Sequence, residues 1–282
     1  MESYTKNLKQ FWSLYKRNHA AVIGLLLVLF YVAVAAAAPI LAPIDPFTTG
    51  PSSFAPPSDQ FPMGTDDLGR DIYSGVLHGA RISLSIGFIA ATISYLVGVI
   101  VGAFSGYYGG KVDDILMRIT EAFQVIPVLV LALVIITLFQ PTLWNIAFTI
   151  GILAWPGTAR LVRAEFLSLK QQEFVEAARS IGYSNMKIVF QEILPNAIPP
   201  AIVNTSLQVA NAILLEAGLG FLGLSDPNVM SWGFLLRNAQ RFLRHGWWLS
   251  VFPGVSISLV VIGLNLVGDG LNDALNPRLK QR

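Results

Sequence analysis

The sequence contains no cysteine and few charged residues for its length. Of its 282 residues, 13% are charged and 54% are hydrophobic, whereas soluble domains carry about 25% charged residues. The absence of cysteine excludes disulfide bonds and thiolate metal ligands. The net charge is only +2 and no long basic run is present, which argues against nucleic-acid binding. Together these features predict an all-α polytopic membrane protein.

The sequence also lacks a nucleotide-binding P-loop. Residues 109–112, Gly-Gly-Lys-Val, are similar to the end of one. The motif, however, requires glycine at position 105 and serine or threonine at position 112. The chain has Ser105 and Val112 there, so we expect it not to bind ATP by this device. We find no constellation that predicts catalysis, and we expect no cofactor or metal in this chain.

Aspartates concentrate in a proline-rich loop at residues 43–80. Asp66, Asp67 and Asp71 could form a metal or hydrolytic site, or they could cap turns and helix starts. We favour capping, because no histidine or further ligand accompanies them in the sequence.

Long uncharged stretches predict six transmembrane helices, since a span needs about 20 apolar residues. We place them within 18–44, within 82–110, twice within 122–159 with a break at Gln140-Pro141-Thr142, at about 197–216 and at about 249–268. A cleaved signal peptide is the alternative for the first span, but its apolar run, 21–38, exceeds the usual length. Gly98, Gly102 and Gly106 predict a close helix contact, although glycine is also tolerated in lipid-facing helices.

The distribution of lysine and arginine predicts that both termini are cytoplasmic. With this topology the inner segments contain 14 of these residues and the outer segments 5, as the positive-inside rule requires. Arg237, Arg241 and Arg244 are the exception. We divide the chain into an N-terminal part with the first span and outer loop (1–80), a five-helix core (81–275) and a cytoplasmic tail (276–282).

The longest polar interruption between the apolar halves lies at 160–192 and contains a short amphipathic helix. Phe174, Ala177, Ala178 and Ile181 share one face of it. Gly182 stands where a helix C-cap is expected, and Ser184 or Asn185 could cap the next helix. A small-residue face of this kind favours docking by another protein.

The stretch EAARSIGYSNMKIVFQEILP resembles the EAA loop of bacterial and archaeal ABC importer permeases, where it would span residues 160–195. The residues that match that pattern are Glu176, Ala177, Ala178, Gly182, Leu194 and Pro195. Glu192 stands where the pattern has isoleucine, which leaves the following hinge in question. The resemblance implies that this loop couples the chain to an ATPase subunit. The residues expected to do so are Phe174, Glu176, Ala177, Ala178, Ile181, Gly182 and Pro195.

Three further stretches, 64–87, 216–233 and 247–278, resemble the C-type subunit of dipeptide/oligopeptide permeases. This resemblance implies a type I ABC importer permease fold in a prokaryotic cell membrane and a non-catalytic role. It implies as partners a homologous second permease subunit, two cytoplasmic ATPase subunits that bind ATP and Mg²⁺, and an extracytoplasmic solute-binding protein. Peptides are the expected solutes. Nickel, glutathione and oligosaccharides remain alternatives, because the same family imports them.

Polar residues within the predicted spans are few. Asn204, Gln208 and Asn211 share one face of the fifth span. They could line a translocation path or form hydrogen bonds between helices. Glu216 and Asp269, at span ends, could line a solute or ion path, but we favour an interfacial or capping placement because neither lies within the middle of a span. A stand-alone ion-coupled carrier is the alternative function, but the acidic residues that it would need within the spans are missing.

Overall fold

The computed structural model describes residues 11–275, and this part of the chain is helical apart from its loops. An isolated bridge between Thr65 and Asp71 is the only β-type pairing among these residues. The principal helices are α1 (His19–Leu41), α2 (Ile72–Tyr108), α3 (Gly110–Val125), α4 (Val128–Phe139), α5 (Leu143–Leu169), α6 (Glu173–Ser180), α7 (Asn185–Phe221), α8 (Trp232–Arg241) and α9 (Trp248–Leu275). The all-α expectation is confirmed for this region, while residues 276–282 lie outside it. Helix α2 runs through residue 80, where we had divided the chain.

Four of the described helices, α1, α2, α7 and α9, are long and apolar enough to cross a membrane. The consecutive helices α3 and α4 bend by 87° and would together make a fifth span or a re-entrant loop. The break predicted at Gln140–Thr142 is present. The span predicted before it is bent at Pro127, and its second part, α4, is 12 residues, about 18 Å, long.

Helices α2 and α5 pack together through the predicted glycine ridge. A Cβ atom added at Gly98 would lie 2.5 Å from the Thr158 Cβ, and one at Gly106 would lie 2.5 Å from the Phe166 Cβ. These distances are shorter than real contacts allow, so the two backbones meet where side chains are absent. The packing interpretation of these glycines is therefore confirmed, while Gly110 lies beyond α2 in open space.

The aspartates of the loop between α1 and α2 act as capping groups. Asp66 accepts hydrogen bonds from the Leu68 and Arg70 amides and forms an ion pair with Arg70 at 2.6 Å. Asp71 caps α2 by accepting from the Tyr73 and Ser74 amides. No group of three or more metal-ligating side chains occurs within residues 11–275. The capping interpretation is confirmed for Asp66 and Asp71.

Glu216, expected to be interfacial or to act as a cap, is buried among helices. It is 2% exposed within α7, and its Oε2 accepts a hydrogen bond of 3.0 Å from the Ser83 hydroxyl of α2. The same hydroxyl oxygen accepts from the Trp232 amide at the start of α8. The carboxyl group thus joins three helices, which position in the sequence could not reveal. Asp269, by contrast, is exposed.

Replacing Gly102 with alanine should destabilise the protein by about 1–3 kcal/mol, the usual cost of overpacking. The added methyl group would lie 2.5 Å from the Ala159 carbonyl oxygen and 2.8 Å from the Val162 Cβ. Gly254→Ala is the matched control, because nothing lies within 4 Å of a Cβ atom there. Thermal unfolding of the detergent-solubilised protein measures both, and equal melting temperatures for the two variants would refute the packing argument.

Candidate functional site

Helix α6 has an inner face that is buried and an outer face that is not covered. Val175 and Ala178 are 0% and 5% exposed and pack in a cluster with Phe166 and Ile188. Phe174 and Ile181, which belong to the same predicted face as Ala178, are 38% and 70% exposed. Ala177 and Glu176 are exposed as well. The predicted apolar face therefore divides, because Ala178 lies on the inner side and is not available to a docking partner.

The end of α6 is a Schellman turn. The Tyr183 amide donates to the Ala178 carbonyl, and the Gly182 amide donates to the Arg179 carbonyl. Gly182 has a φ of +84°, a conformation that glycine adopts without the penalty other residues incur. Ser184 then caps the next helix by accepting from the Lys187 amide. The sequence prediction of both caps is confirmed, with Ser184 as the N-cap.

The end of α2 that is predicted to be cytoplasmic contacts this turn and holds it in place. Tyr107 donates a hydrogen bond of 2.8 Å to the Asn185 side chain, and the Arg179 guanidinium lies 5.9 Å from the Tyr107 ring. Lys170, which follows α5, donates to the Gly106 carbonyl at 2.9 Å. Since an eight-residue helix is not stable alone in water, these contacts fix the position of α6.

A partly buried ion pair fixes the neighbouring helix α3. The Arg163 guanidinium donates to both carboxylate oxygens of Asp113, at 2.6 and 2.5 Å. Ser105 of α2 donates to the same carboxylate. This bidentate geometry is the strongest form of arginine–carboxylate contact. Helices α2, α3 and α5 are thus connected beside the loop that carries α6.

Pro195 follows a π-helical segment, Ile188–Ile193, inside α7. Proline has no amide hydrogen and its ring needs space in the preceding turn, and the wider π turn supplies it. The Leu194 amide donates to the Val189 carbonyl, five residues earlier. Glu192 lies within this segment, and its carbonyl oxygen accepts from the Asn196 side chain. The departure from isoleucine at Glu192 is compatible with a continuous helix.

A cavity of about 830 Å³ lies between α2, α5, α7 and the α3–α4 bend. Its walls are mostly apolar, and its polar lining residues are Gln124, Arg160, Gln208 and Asn211. Of the three residues predicted for a path, Gln208 and Asn211 line this cavity. Asn204 instead donates a hydrogen bond of 3.1 Å to the Thr158 hydroxyl of α5. Gln208 also donates a hydrogen bond of 3.5 Å to the Ala154 carbonyl of α5. Hydrogen bonds between helices are thus present at this face, while the translocation path stays a prediction.

Sequence reasoning missed the contributions of Gln124 and Arg160 to the cavity. In the sequence, Arg160 is recognisable only as the first residue of the polar interruption at 160–192. A signal was available, since Leu153, Gly157 and Arg160 are spaced as one face of α5. That this face borders the cavity depends on the bend at Pro127, which brings the end of α3 opposite α5.

Comparison with known sequences identifies the family. The family described as binding-protein-dependent transport system inner membrane component matches residues 98–281. The N-terminal transmembrane domain of oligopeptide transport permease C matches residues 6–57. The chain therefore belongs to the family of binding-protein-dependent transport system inner membrane components.

Its relatives carry peptide-transport names. The dipeptide transport system permease protein DppC of Alkalihalophilus pseudofirmus is 40% identical over 94% of this chain and 88% of the relative. The DppC protein of Escherichia coli is 41% identical over 97% of this chain and 94% of the relative. The oligopeptide transport system permease protein OppC of Bacillus subtilis is 37% identical over 95% and 88%.

A solved structure shows the same fold. A chain of the inward-facing MetNI methionine ABC transporter superposes with a TM-score of 0.59 at 20% identity. The match covers 72% of this chain and 97% of that chain. The helical arrangement described above is thus shared with a chain of an ABC transporter.

Gly182→Ala should weaken the end of α6 by about 1–2 kcal/mol, the cost of a left-handed conformation for an L-residue. Nothing lies within 4 Å of an added Cβ, so the cost is conformational and Gly182→Asn should lose less. Hydrogen exchange of the α6 amides should rise roughly 5- to 30-fold in Gly182→Ala. Ser180→Ala is the control, and equal exchange in Gly182→Ala and this control would contradict the prediction.

Proposed function

We propose that this chain is the C-type permease subunit of an ATP-driven importer that moves peptides across a prokaryotic cell membrane. The observation that carries the proposal is the uncovered apolar face of α6, held rigidly at the end of the helical bundle. Phe174 and Ile181 are exposed there although Val175 and Ala178 of the same helical segment are covered by the bundle, and an exposed apolar patch favours docking by another protein. The chain itself supplies no chemistry to the transport cycle.

The proposed topology has six spans with both termini in the cytoplasm. Helices α1, α2, α7 and α9 supply four of them, the α3–α4 pair a fifth and α5 the sixth. Helix α5 is 27 residues long, and its less apolar composition is compatible with a span because it is enclosed by α2 and α7. Polar side chains of α5 contact protein there and do not face lipid. The Thr158 hydroxyl, for example, accepts a hydrogen bond from Asn204 of α7.

The proposed partner at α6 is a cytoplasmic ATPase subunit. Phe174, Ala177 and Ile181 would enter an apolar groove of that subunit, and Glu176 would pair with a cation at its rim. Val175 and Ala178 hold the helix to the bundle. Gly182 and Pro195 shape the turn and the following hinge. ATP and Mg²⁺ would be bound by the two ATPase subunits, and their closure would move α6 together with α2 and α5.

The proposed path for the solute is the cavity lined by Gln208 and Asn211. It is open on one side in this chain, as expected if a second, homologous permease subunit forms the other wall. An extracytoplasmic binding protein would deliver the solute. Amide side chains in an apolar wall can hydrogen-bond to a peptide backbone while the cavity remains wide.

Peptides are favoured over the other solutes of the family by the names of the relatives, which are dipeptide and oligopeptide permeases. Nickel is disfavoured because no metal-ligating cluster is present within residues 11–275. The ion-coupled carrier is disfavoured as well. Glu216 is a buried carboxyl group of the kind that such a carrier needs, but it accepts a hydrogen bond from Ser83 and does not line the cavity.

Ile181→Asp should abolish most peptide uptake without preventing insertion, because a carboxylate would be placed in the proposed apolar contact. Ser180→Asp is the matched control, since it adds the same charge next to Ile181, at the same helix end, but outside the apolar face. Uptake of a radiolabelled dipeptide and peptide-stimulated ATP hydrolysis by the reconstituted complex measure the effect.

The loss in Ile181→Asp should exceed that in Ser180→Asp by at least about tenfold, as expected when a central interface residue is disrupted. Co-purification with the ATPase subunits should fall in parallel. Full uptake with Ile181→Asp would remove α6 as the coupling element. Complete loss with both variants would show a charge effect that is not specific to the apolar face.

A further inference from the structure

Among residues 11–275, Arg160 is the one charged residue in the wall of the cavity. It follows 38 uncharged residues along the chain and lies on α5 one turn after Gly157. A Cβ atom added at Gly157 would lie 3.6 Å from the Gln208 Nε2. Arg160 is three residues, about 4.5 Å along the helix axis, from the glycine that faces this amide.

Arg160 differs from the neighbouring Arg163 in its bonding. Arg163 is neutralised by its two hydrogen bonds to Asp113. The ion pairs present among residues 11–275 are this one and Arg70–Asp66. No carboxylate oxygen of the described residues thus lies within 4.0 Å of the Arg160 guanidinium, and the side chain is exposed.

The acidic residues near Arg160 do not hold it in place through an ion pair. A second, smaller cavity of about 350 Å³ is also lined by Arg160, together with Asp113, Asp114 and Glu121. Of these, Asp113 is occupied by Arg163. Asp114 and Glu121 are exposed on α3 and form no ion pair with Arg160 in this conformation.

We propose that Arg160 binds a side-chain carboxylate of the solute in the cavity and thereby gives the path a preference for acidic over basic peptides. A guanidinium without an ion-pair partner at the edge of a largely apolar wall attracts a carboxylate, and a charge-assisted hydrogen bond between the two is stronger than one between neutral groups. The amides of Gln208 and Asn211 would accompany it by bonding to uncharged parts of the solute. This inference rests on the proposed peptide transport.

A simpler role for Arg160 would be that of a positive charge that anchors the cytoplasmic end of α5. An anchor would affect the amount of inserted protein and would not distinguish one solute from another. The charge preference of uptake therefore separates the two roles.

The test is uptake of Ala-Asp and Ala-Lys by the complete complex reconstituted with its binding protein. Comparing the ratio of kcat/KM for the two peptides between variants cancels the selectivity of the binding protein, which is the same in each assay. Arg160→Gln should lower the Ala-Asp to Ala-Lys ratio about tenfold, the factor expected for losing one charge-assisted hydrogen bond. Arg160→Glu should lower it further, and Arg160→Lys should retain most of it.

Two controls test whether the effect depends on the charge at position 160. Arg118→Gln removes the same charge from an exposed position on α3 that does not line the cavity, and it should leave the ratio unchanged. Because the chain has no cysteine, Arg160→Cys offers a single thiol on this subunit. A cationic methanethiosulfonate reagent should restore the ratio and an anionic one should not, with the unsubstituted complex treated in parallel.

The outcomes are distinguishable from failure of the proposed function. If the unsubstituted complex takes up neither peptide, the peptide-transport proposal is overturned. If it takes up both and the ratio is the same in Arg160→Gln, Arg160→Glu and Arg118→Gln, the Arg160 inference is overturned. Reduced insertion with an unchanged ratio would assign Arg160 to the anchoring role.

Discussion

The close contact between α2 and α5 determines where the other parts of the molecule lie. In a membrane, an apolar side chain gains little free energy by contacting another apolar side chain in place of lipid. Close packing of backbones therefore becomes a main source of helix association. Gly98, Gly102 and Gly106 provide that packing along one side of α2. At one end of the contact, Lys170 and Tyr107 hold the loop that carries α6. Along the contact, α5 presents its other face to the cavity.

The loop that carries α6 combines rigidity with exposure. A helix of eight residues has too few hydrogen bonds to persist alone, so its order comes from Val175 and Ala178 in the bundle and from the turn at Gly182. The outer face is then free to contact another protein. A flexible loop with the same apolar residues would transmit little motion, whereas one fixed to α2 and α5 can transmit displacement to the bundle.

The cavity depends on two departures from straight helices. The 87° bend between α3 and α4 places Gln124 and Leu129 at the wall of the cavity. The π segment before Pro195 allows α7 to continue without interruption from the loop to the wall that carries Gln208.

The two neighbouring arginines of α5 have different roles because their positions differ. Arg163 is bound to Asp113 and connects helices, while Arg160 remains unpaired beside the cavity.

The sequence by itself determined the features that depend on neighbouring residues in the chain. These are the long apolar helices, the break at Gln140–Thr142, the caps at Asp71, Gly182 and Ser184, and the glycine ridge. Tertiary structure alone decided which faces are covered. It buried Ala178 and Glu216, divided the polar face of α7 between a helix contact and the cavity, and bent the chain at Pro127. Local spacing specifies that residues share a face, but what covers that face depends on helices that are distant in the sequence.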